Sequence, residues 1–180
     1  PYGCSKGAAD QYVNDYSRIY NIDGYVLRQS CVYGTNQFGI EDQGWVSWFI
    51  IASIFKKKFK VYGDGKQVRD ILYIDDLNNL YYKIALNKKK LTTDRIFNVG
   101  GGNKFSLSLL VLFKILKEEY GLKLKYSFRR ERKGDQKIFI SDNSKISKFF
   151  NWSPKVGPIK GTRILINWVI KNKKKVNSIL

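Results

Sequence analysis

The stretch VRDILYIDDLNNLYYKIALNKKKLTTDRIFNVGGG, residues 68–102, decides the fold class. It opens on a short apolar run, VRDILYIDD, that reads as a strand. Asp75 is a candidate N-cap for the helix DLNNLYYKIALN. RIFNVGGG then reads as a second strand running into a glycine turn. Strand, helix and strand in succession point to an α/β chain with some parallel sheet.

Both flanks carry the same alternation. Toward the N-terminus, Ala8, Tyr12, Tyr16 and Ile19 recur at three- and four-residue steps, so residues 5–20 read as a helix. GYVLRQSCVYG (24–34) is expected to be one strand, and GWVSWFIIASIFKKK (44–58) a largely buried helix with a basic C-terminal end. FKVYGDG follows as a short strand and turn. Toward the C-terminus, FSLSLLVLFKILKEEYG is expected to be an amphipathic helix capped by Ser106 and ended by Gly121. KLKYSF (123–128) alternates like a strand, and Asp142 or Ser144 is expected to cap a short helix, SKISKFF. A last helix is expected over about 159–175.

Composition narrows the class. The chain has 180 residues, 43% of them hydrophobic and 15% aromatic, which suits one globular domain. No apolar run is long enough for a membrane helix, and no secretory leader is visible. The two cysteines, Cys4 and Cys31, have neither metal-ligand spacing nor a disulfide pattern, so no metal is expected and a cytoplasmic location is. There is no methionine and residue 1 is proline, so the sequence is expected to be a piece cut on its N-terminal side. A net charge of +18 invites a nucleic-acid reading. The cations, however, are mostly lysines in short scattered runs, Lys56–Lys58, Lys88–Lys90 and Lys173–Lys175, at expected helix ends. A solvated basic surface is the preferred reading, with no nucleic-acid partner.

The chemistry begins at YGCSK. Residues four apart lie on one helix face, so Tyr2 and Lys6 can share a site. A free phenol is a poor base at neutral pH, and a nearby ammonium favours its phenolate form. Such a pair can take a proton from a sugar hydroxyl. Tyr-x-x-x-Lys alone is a weak signal, since a surface tyrosine beside a lysine has the same spacing.

Read in order, the motifs resemble the extended short-chain dehydrogenase/reductase family, specifically the NAD-dependent nucleotide-sugar epimerases and dehydratases. PYGCSKGAAD is similar to that family's catalytic helix. VLRQSCVYGTNQ is similar to the strand and loop after it, with Thr35 where the family usually has proline. VYGDGKQVRDILYIDD is similar to the sugar-nucleotide segment with its Arg-Asp pair. FNVGGG, RKGDQKIFISDNSKI and NWSPK follow in family order. Within the family, DQGWVSWF (42–49) and GDQKIF (134–139) most resemble the branch that acts on CDP-paratose and CDP-tyvelose.

The resemblance implies an α/β fold: the C-terminal part of a Rossmann-type NAD(P)-binding fold plus the small substrate-binding lobe. Residues 1–180 would then be the C-terminal portion of one epimerase/dehydratase domain. The Gly-rich NAD-binding half would be missing, and the piece alone inactive. Tyr2 is implied as general acid/base, with Lys6 as its partner and a ligand of the nicotinamide ribose. Gln29, Ser30 and Cys31 match the strand end beside the nicotinamide and the sugar: Gln29 and Ser30 on the cofactor side, Cys31 on the substrate side. Arg69 matches a diphosphate contact, a role suited to the guanidinium's paired donors. The plainer reading of Arg69 is a strand-edge ion pair with Asp70. Arg132 and Asp135 match the loop that holds phosphate and nucleotide ribose. Gln43 and Trp45 match the helix start beneath the nucleotide.

The implied reaction is epimerisation at C2 of a CDP-3,6-dideoxyhexose, serving lipopolysaccharide or other surface-polysaccharide synthesis. NAD takes hydride from C2, the 2-keto sugar turns, and hydride returns to the other face. A homo-oligomer is expected. A UDP-sugar 4-epimerase or a dTDP-sugar 4,6-dehydratase is the alternative enzyme, and a basic nucleic-acid module the alternative outside enzymes.

Overall fold

The computed structural model describes residues 1–87 and 95–179. The lysine run at 88–90 lies outside them. The elements are α1 (Tyr2–Ile19), β1 (Val26–Gln29), β2 (Cys31–Tyr33), α2 (Trp45–Ile54), β3 (Lys58–Tyr62), β4 (Val68–Tyr73), α3 (Ile74–Ala85), β5 (Ile96–Val99), β6 (Ser106–Ser108), α4 (Leu109–Glu118), β7 (Lys125–Arg129), β8 (Ile138–Phe139), α5 (Ser144–Phe150), α6 (Pro158–Lys171) and α7 (Lys173–Asn177).

The mixed α/β architecture expected from residues 68–102 is present, and among the described residues four of the five strand pairings are parallel. β4 and β5 do not pair with each other. Each takes half of the segment expected to be one strand. β1 pairs with β5, Val26 opposite Ile96, and β2 pairs with β4, Cys31 opposite Ile71. Ser30 is the point of transfer. Its amide donates to the Val99 carbonyl at 2.8 Å, and its hydroxyl donates to the Asp70 backbone oxygen at 2.8 Å.

β4 is buried on both faces, which explains its nearly continuous apolar run. Ile71 and Tyr73 point into a core with Phe49 and Ile50 of α2, Phe59 and Val61 of β3, Leu112 and Leu116 of α4, and Leu165 and Val169 of α6. Leu72 points the other way, into a second core with Leu77, Leu80, Phe97, Val99, Ile146 and Trp152. This alternation puts Arg69 and Asp70 on opposite faces too. Leu112 and Leu116 are fully buried. Each contributes about 1.5–3 kcal/mol by leaving water.

Several local expectations shift. FSLSLL alternates Phe105, Leu107 and Leu109 inward, so its first part is strand β6, antiparallel to β4. The cap of α4 is therefore Ser108, whose Oγ accepts from the Val111 amide at 3.2 Å, rather than Ser106. Gly121 does end this turn, at φ +61°, and its amide donates to the Lys117 carbonyl at 3.0 Å. Asp75 lies inside the first turn of α3, where the N-cap is Tyr73. Lys56 and Lys57 follow α2, and Lys58 begins β3. Helix 159–175 divides at Asn172 into α6 and α7.

Helix α1 forms as expected, but its apolar stripe is not buried. Tyr12, Tyr16 and Ile19 are all exposed, and Ser17 is its one buried residue. Arg28 of β1 ties the helix to the body through an ion pair with Asp10 at 2.5 Å. Among the described residues, no helix is long and apolar enough to cross a membrane.

Candidate functional site

A cavity of about 380 Å³ opens where β2, β3, β4, the start of α2 and the 132–135 loop meet. Cys31, Trp45, Arg69, Arg132 and Asp135 all line it. They come from separate chain segments, and the fold brings them to one wall. Gln43 does not line it. Its backbone pairs with Ile40 in a small bridge, and its side chain is exposed.

The cavity is charged and aromatic together. Lys60, Arg69, Arg132 and Lys133 stand among Glu41, Asp42 and Asp135. Arg69 Nη2 donates to Asp135 Oδ1 at 2.7 Å. Arg132 Nη2 donates to Asp42 Oδ1 at 2.8 Å, and its guanidinium lies 4.2 Å from the centre of the Tyr62 ring. The 132–135 loop thus holds the cavity wall through one anion and one cation. Each guanidinium suits an anionic ligand, since its planar fork can donate twice to a phosphate.

Cys31 begins β2, next to the point of transfer. Burial pushes its thiol above the ordinary value of 9.0, and the nearby Arg69 guanidinium partly opposes that rise. The thiol is therefore neutral and weakly nucleophilic at neutral pH.

Asp70 does not pair with Arg69. It is fully buried on the other face of β4 and accepts from the Ser30 and Ser141 hydroxyls, and from the Gly102 amide at 2.9 Å. The carboxylate ties β2, β4, the glycine turn after β5 and the segment after β8 together. Because Arg69 stands next to it on β4, the anchored carboxylate fixes the cavity from behind.

Tyr2 and Lys6 share one face of α1, with the Lys6 ammonium 5.5 Å from the centre of the Tyr2 ring. Tyr2 is 72% exposed, and neither residue lines the cavity. Gln29 Nε2 donates to the Tyr81 hydroxyl at 2.6 Å, on the exposed side of β1. Of the residues expected to bind substrate, all but Gln43 meet at the cavity, whereas Tyr2, Lys6, Gln29 and Ser30 lie outside its lining. Among the described residues, no group of three or more His, Cys, Asp or Glu could hold a metal ion.

Residues 1–100 match the NAD dependent epimerase/dehydratase family. The chain belongs to this family. The match covers α1 to the end of β5, which includes Tyr2, Lys6 and Arg69. CDP-paratose 2-epimerase of Salmonella typhi is 42% identical over 173 residues, 93% of this chain and 51% of that protein. UDP-glucose 4-epimerase of Thermotoga maritima, solved with UDP-glucose, superposes with a TM-score of 0.84 at 30% identity, over 96% of this chain and 54% of that one. UDP-glucuronic acid 4-epimerase of Bacillus cereus, solved with UDP-glucuronic acid and NAD, gives 0.83 at 26%, over 95% and 52%. A UDP-glucuronate 4-epimerase of Thermodesulfobacterium geofontis and a dTDP-glucose 4,6-dehydratase of Escherichia coli are also among the relatives, at 32% and 26% identity. The chain spans about half the length of the curated relatives it matches.

The family relationship accounts for the fold expected from the motifs. The cavity also contains residues that the motifs did not single out: Glu41, Asp42, Lys60, Gln67 and Lys133. Glu41 stands in a loop without periodicity, and Asp42 opens the DQGWVSWF motif, which gave it no role of its own. Lys60 and Tyr62 share a face of β3 by strand alternation, which was legible in FKVYGDG.

Proposed function

We propose that these residues are the C-terminal, substrate-side portion of an NAD-dependent epimerase that inverts C2 of a CDP-linked dideoxyhexose, interconverting CDP-paratose and CDP-tyvelose. The observation that carries this reading is the convergence of Arg69, Arg132, Trp45 and Cys31 on one cavity, in a chain 42% identical to CDP-paratose 2-epimerase. The cavity wall suits a nucleoside diphosphate, with guanidinium groups for the phosphates and aromatic rings for the base.

In this reading, Arg69 and Arg132 anchor the diphosphate, exchanging Asp135 and Asp42 for phosphate oxygens. Asp135 is then released to a ribose hydroxyl. Tyr2 takes the proton from the sugar hydroxyl, holds it as the neutral phenol while the sugar is a ketone and then returns it, with the Lys6 ammonium beside its ring. The chemistry of the pair fits NAD: a lysine that can donate to a ribose hydroxyl stands beside the tyrosine. Gln29 and Ser30 would border the nicotinamide. NAD, when bound, supplies the hydride acceptor at C2 and gives the hydride back to the opposite face. Anchoring through the CDP portion lets the oxidised sugar turn without leaving.

The exposed tyrosines of α1 are assigned to contact with a Gly-rich NAD-binding half, in keeping with the share of the relatives that this chain spans. The proposal extends to a cytoplasmic homo-oligomer serving surface-polysaccharide synthesis.

The test joins this chain to the N-terminal half of CDP-paratose 2-epimerase and follows turnover by NMR with NAD present. Inversion at C2 of CDP-paratose is expected. The 4-epimerase and 4,6-dehydratase relatives favour a second reading, so UDP-glucose and dTDP-glucose are run in parallel. Turnover of either one, with CDP-paratose unchanged, would replace the first reading with the second.

A further inference from the structure

We propose that Glu41 is the residue that selects cytosine in this cavity, an inference that rests on the CDP reading above. Glu41 lines the cavity beside Tyr62, Trp45 and Lys60. The Tyr62 hydroxyl donates to its Oε1 at 3.0 Å, and Lys60 Nζ stands 3.6 Å from the same oxygen. Both contacts use Oε1, which holds the carboxylate in place and leaves Oε2 to a ligand.

A carboxylate only accepts hydrogen bonds. Cytosine carries an exocyclic amino group, a donor, at the position where uracil and thymine carry the O4 acceptor. With the diphosphate held at Arg69, a base lying toward Tyr62 and Trp45 brings that position to Glu41. Cytosine then completes a charge-assisted hydrogen bond, whereas uracil sets one acceptor against another. Lys60 offsets the carboxylate's charge, so Glu41 adds this discrimination without repelling the phosphates. The loop carrying Glu41 and the strand carrying Lys60 and Tyr62 are separate in sequence, so the arrangement exists only in the folded chain.

The test is calorimetric titration of CDP and UDP into the chain and its Glu41→Gln variant. A hydrogen bond of this kind predicts about tenfold tighter binding of CDP than UDP by the wild-type chain. An amide can turn either its oxygen or its NH₂ toward the base. Glu41→Gln is therefore expected to bring the two ligands to within about twofold. N4,N4-dimethyl-CDP, which lacks the donor, should lose about tenfold on the wild-type chain, a readout independent of any effect of the variant on folding. A CDP preference that survives in Glu41→Gln, or full affinity for the dimethyl analogue, overturns the role of Glu41 and leaves the CDP reading standing. Equal wild-type affinity for CDP and UDP, or binding of neither, overturns the CDP reading and the Glu41 inference with it.

Discussion

Arg69 and Asp70 are neighbours on β4 that face opposite ways: Arg69 reaches Asp135 at 2.7 Å in the cavity, and Asp70 is buried behind it against Ser30, Ser141 and Gly102. One presents charge to a ligand, and the other fixes the wall that presents it.

Arg69→Ala is expected to weaken CDP binding by about tenfold to a hundredfold, the scale of a hydrogen bond to a charged group. Arg69→Lys should recover only part of this, because an ammonium cannot make the paired contact. Calorimetric titration checks both, and unchanged affinity in Arg69→Ala would remove the diphosphate from this end of the cavity.

Asp70→Asn is expected to cost about 2 kcal/mol of stability, because the amide turns a donor toward groups that are themselves donors. The urea midpoint measures it. A midpoint equal to wild type would show that the buried cluster does not depend on the charge.

Gly101→Ala should destabilise by about 1–3 kcal/mol, the usual cost of overpacking. A Cβ there would overlap the Ile71 backbone oxygen and crowd Phe105, and a backbone atom of β4 cannot rotate away. Thermal melting reads the loss.

Stability should fall in alkali. Burial raises both the Cys31 thiol and the Tyr33 phenol above their ordinary values. As pH rises past the ordinary thiol value of 9.0, the unfolded chain releases its proton first and gains relative to the folded one. Stability is therefore full below that pH and declines above it. Cys31→Ala should flatten the first part of the decline in denaturation curves taken from pH 8 to 10, roughly the range in which thiols titrate.

Much of this was legible in the sequence, for local reasons. The run ILY in β4 announced a strand because both of its faces are buried, and residues 5–20 announced a helix because Ala8, Tyr12, Tyr16 and Ile19 recur at its period. What escaped depends on tertiary placement. The spacing of Tyr12, Tyr16 and Ile19 fixes a shared face but not what covers it, and in the described residues nothing does. Ser106 and Ser108 are both cap candidates by residue type. Only the period-two burial of Phe105, Leu107 and Leu109 separates strand from helix. Ser30 gave no sign of ending one strand pairing and starting another, since that requires knowing where Asp70 and Val99 lie. Of the cavity residues, Arg69 was visible through its motif, whereas Glu41 depends on the fold bringing a loop beside β3.

In the assembled enzyme, Tyr2→Phe is expected to lower turnover by at least about a hundredfold, the scale of general acid/base catalysis, while NAD stays bound. Lys6→Ala should weaken both turnover and NAD binding. Full turnover in Tyr2→Phe would refute the assigned role.

The most direct test of the central claim follows deuterium placed at C2 of CDP-paratose through turnover by the assembled enzyme. Oxidation and re-reduction at C2 predict CDP-tyvelose with the deuterium still at C2, on the inverted carbon. Deuterium lost to water, or inversion at C4 instead, would contradict it.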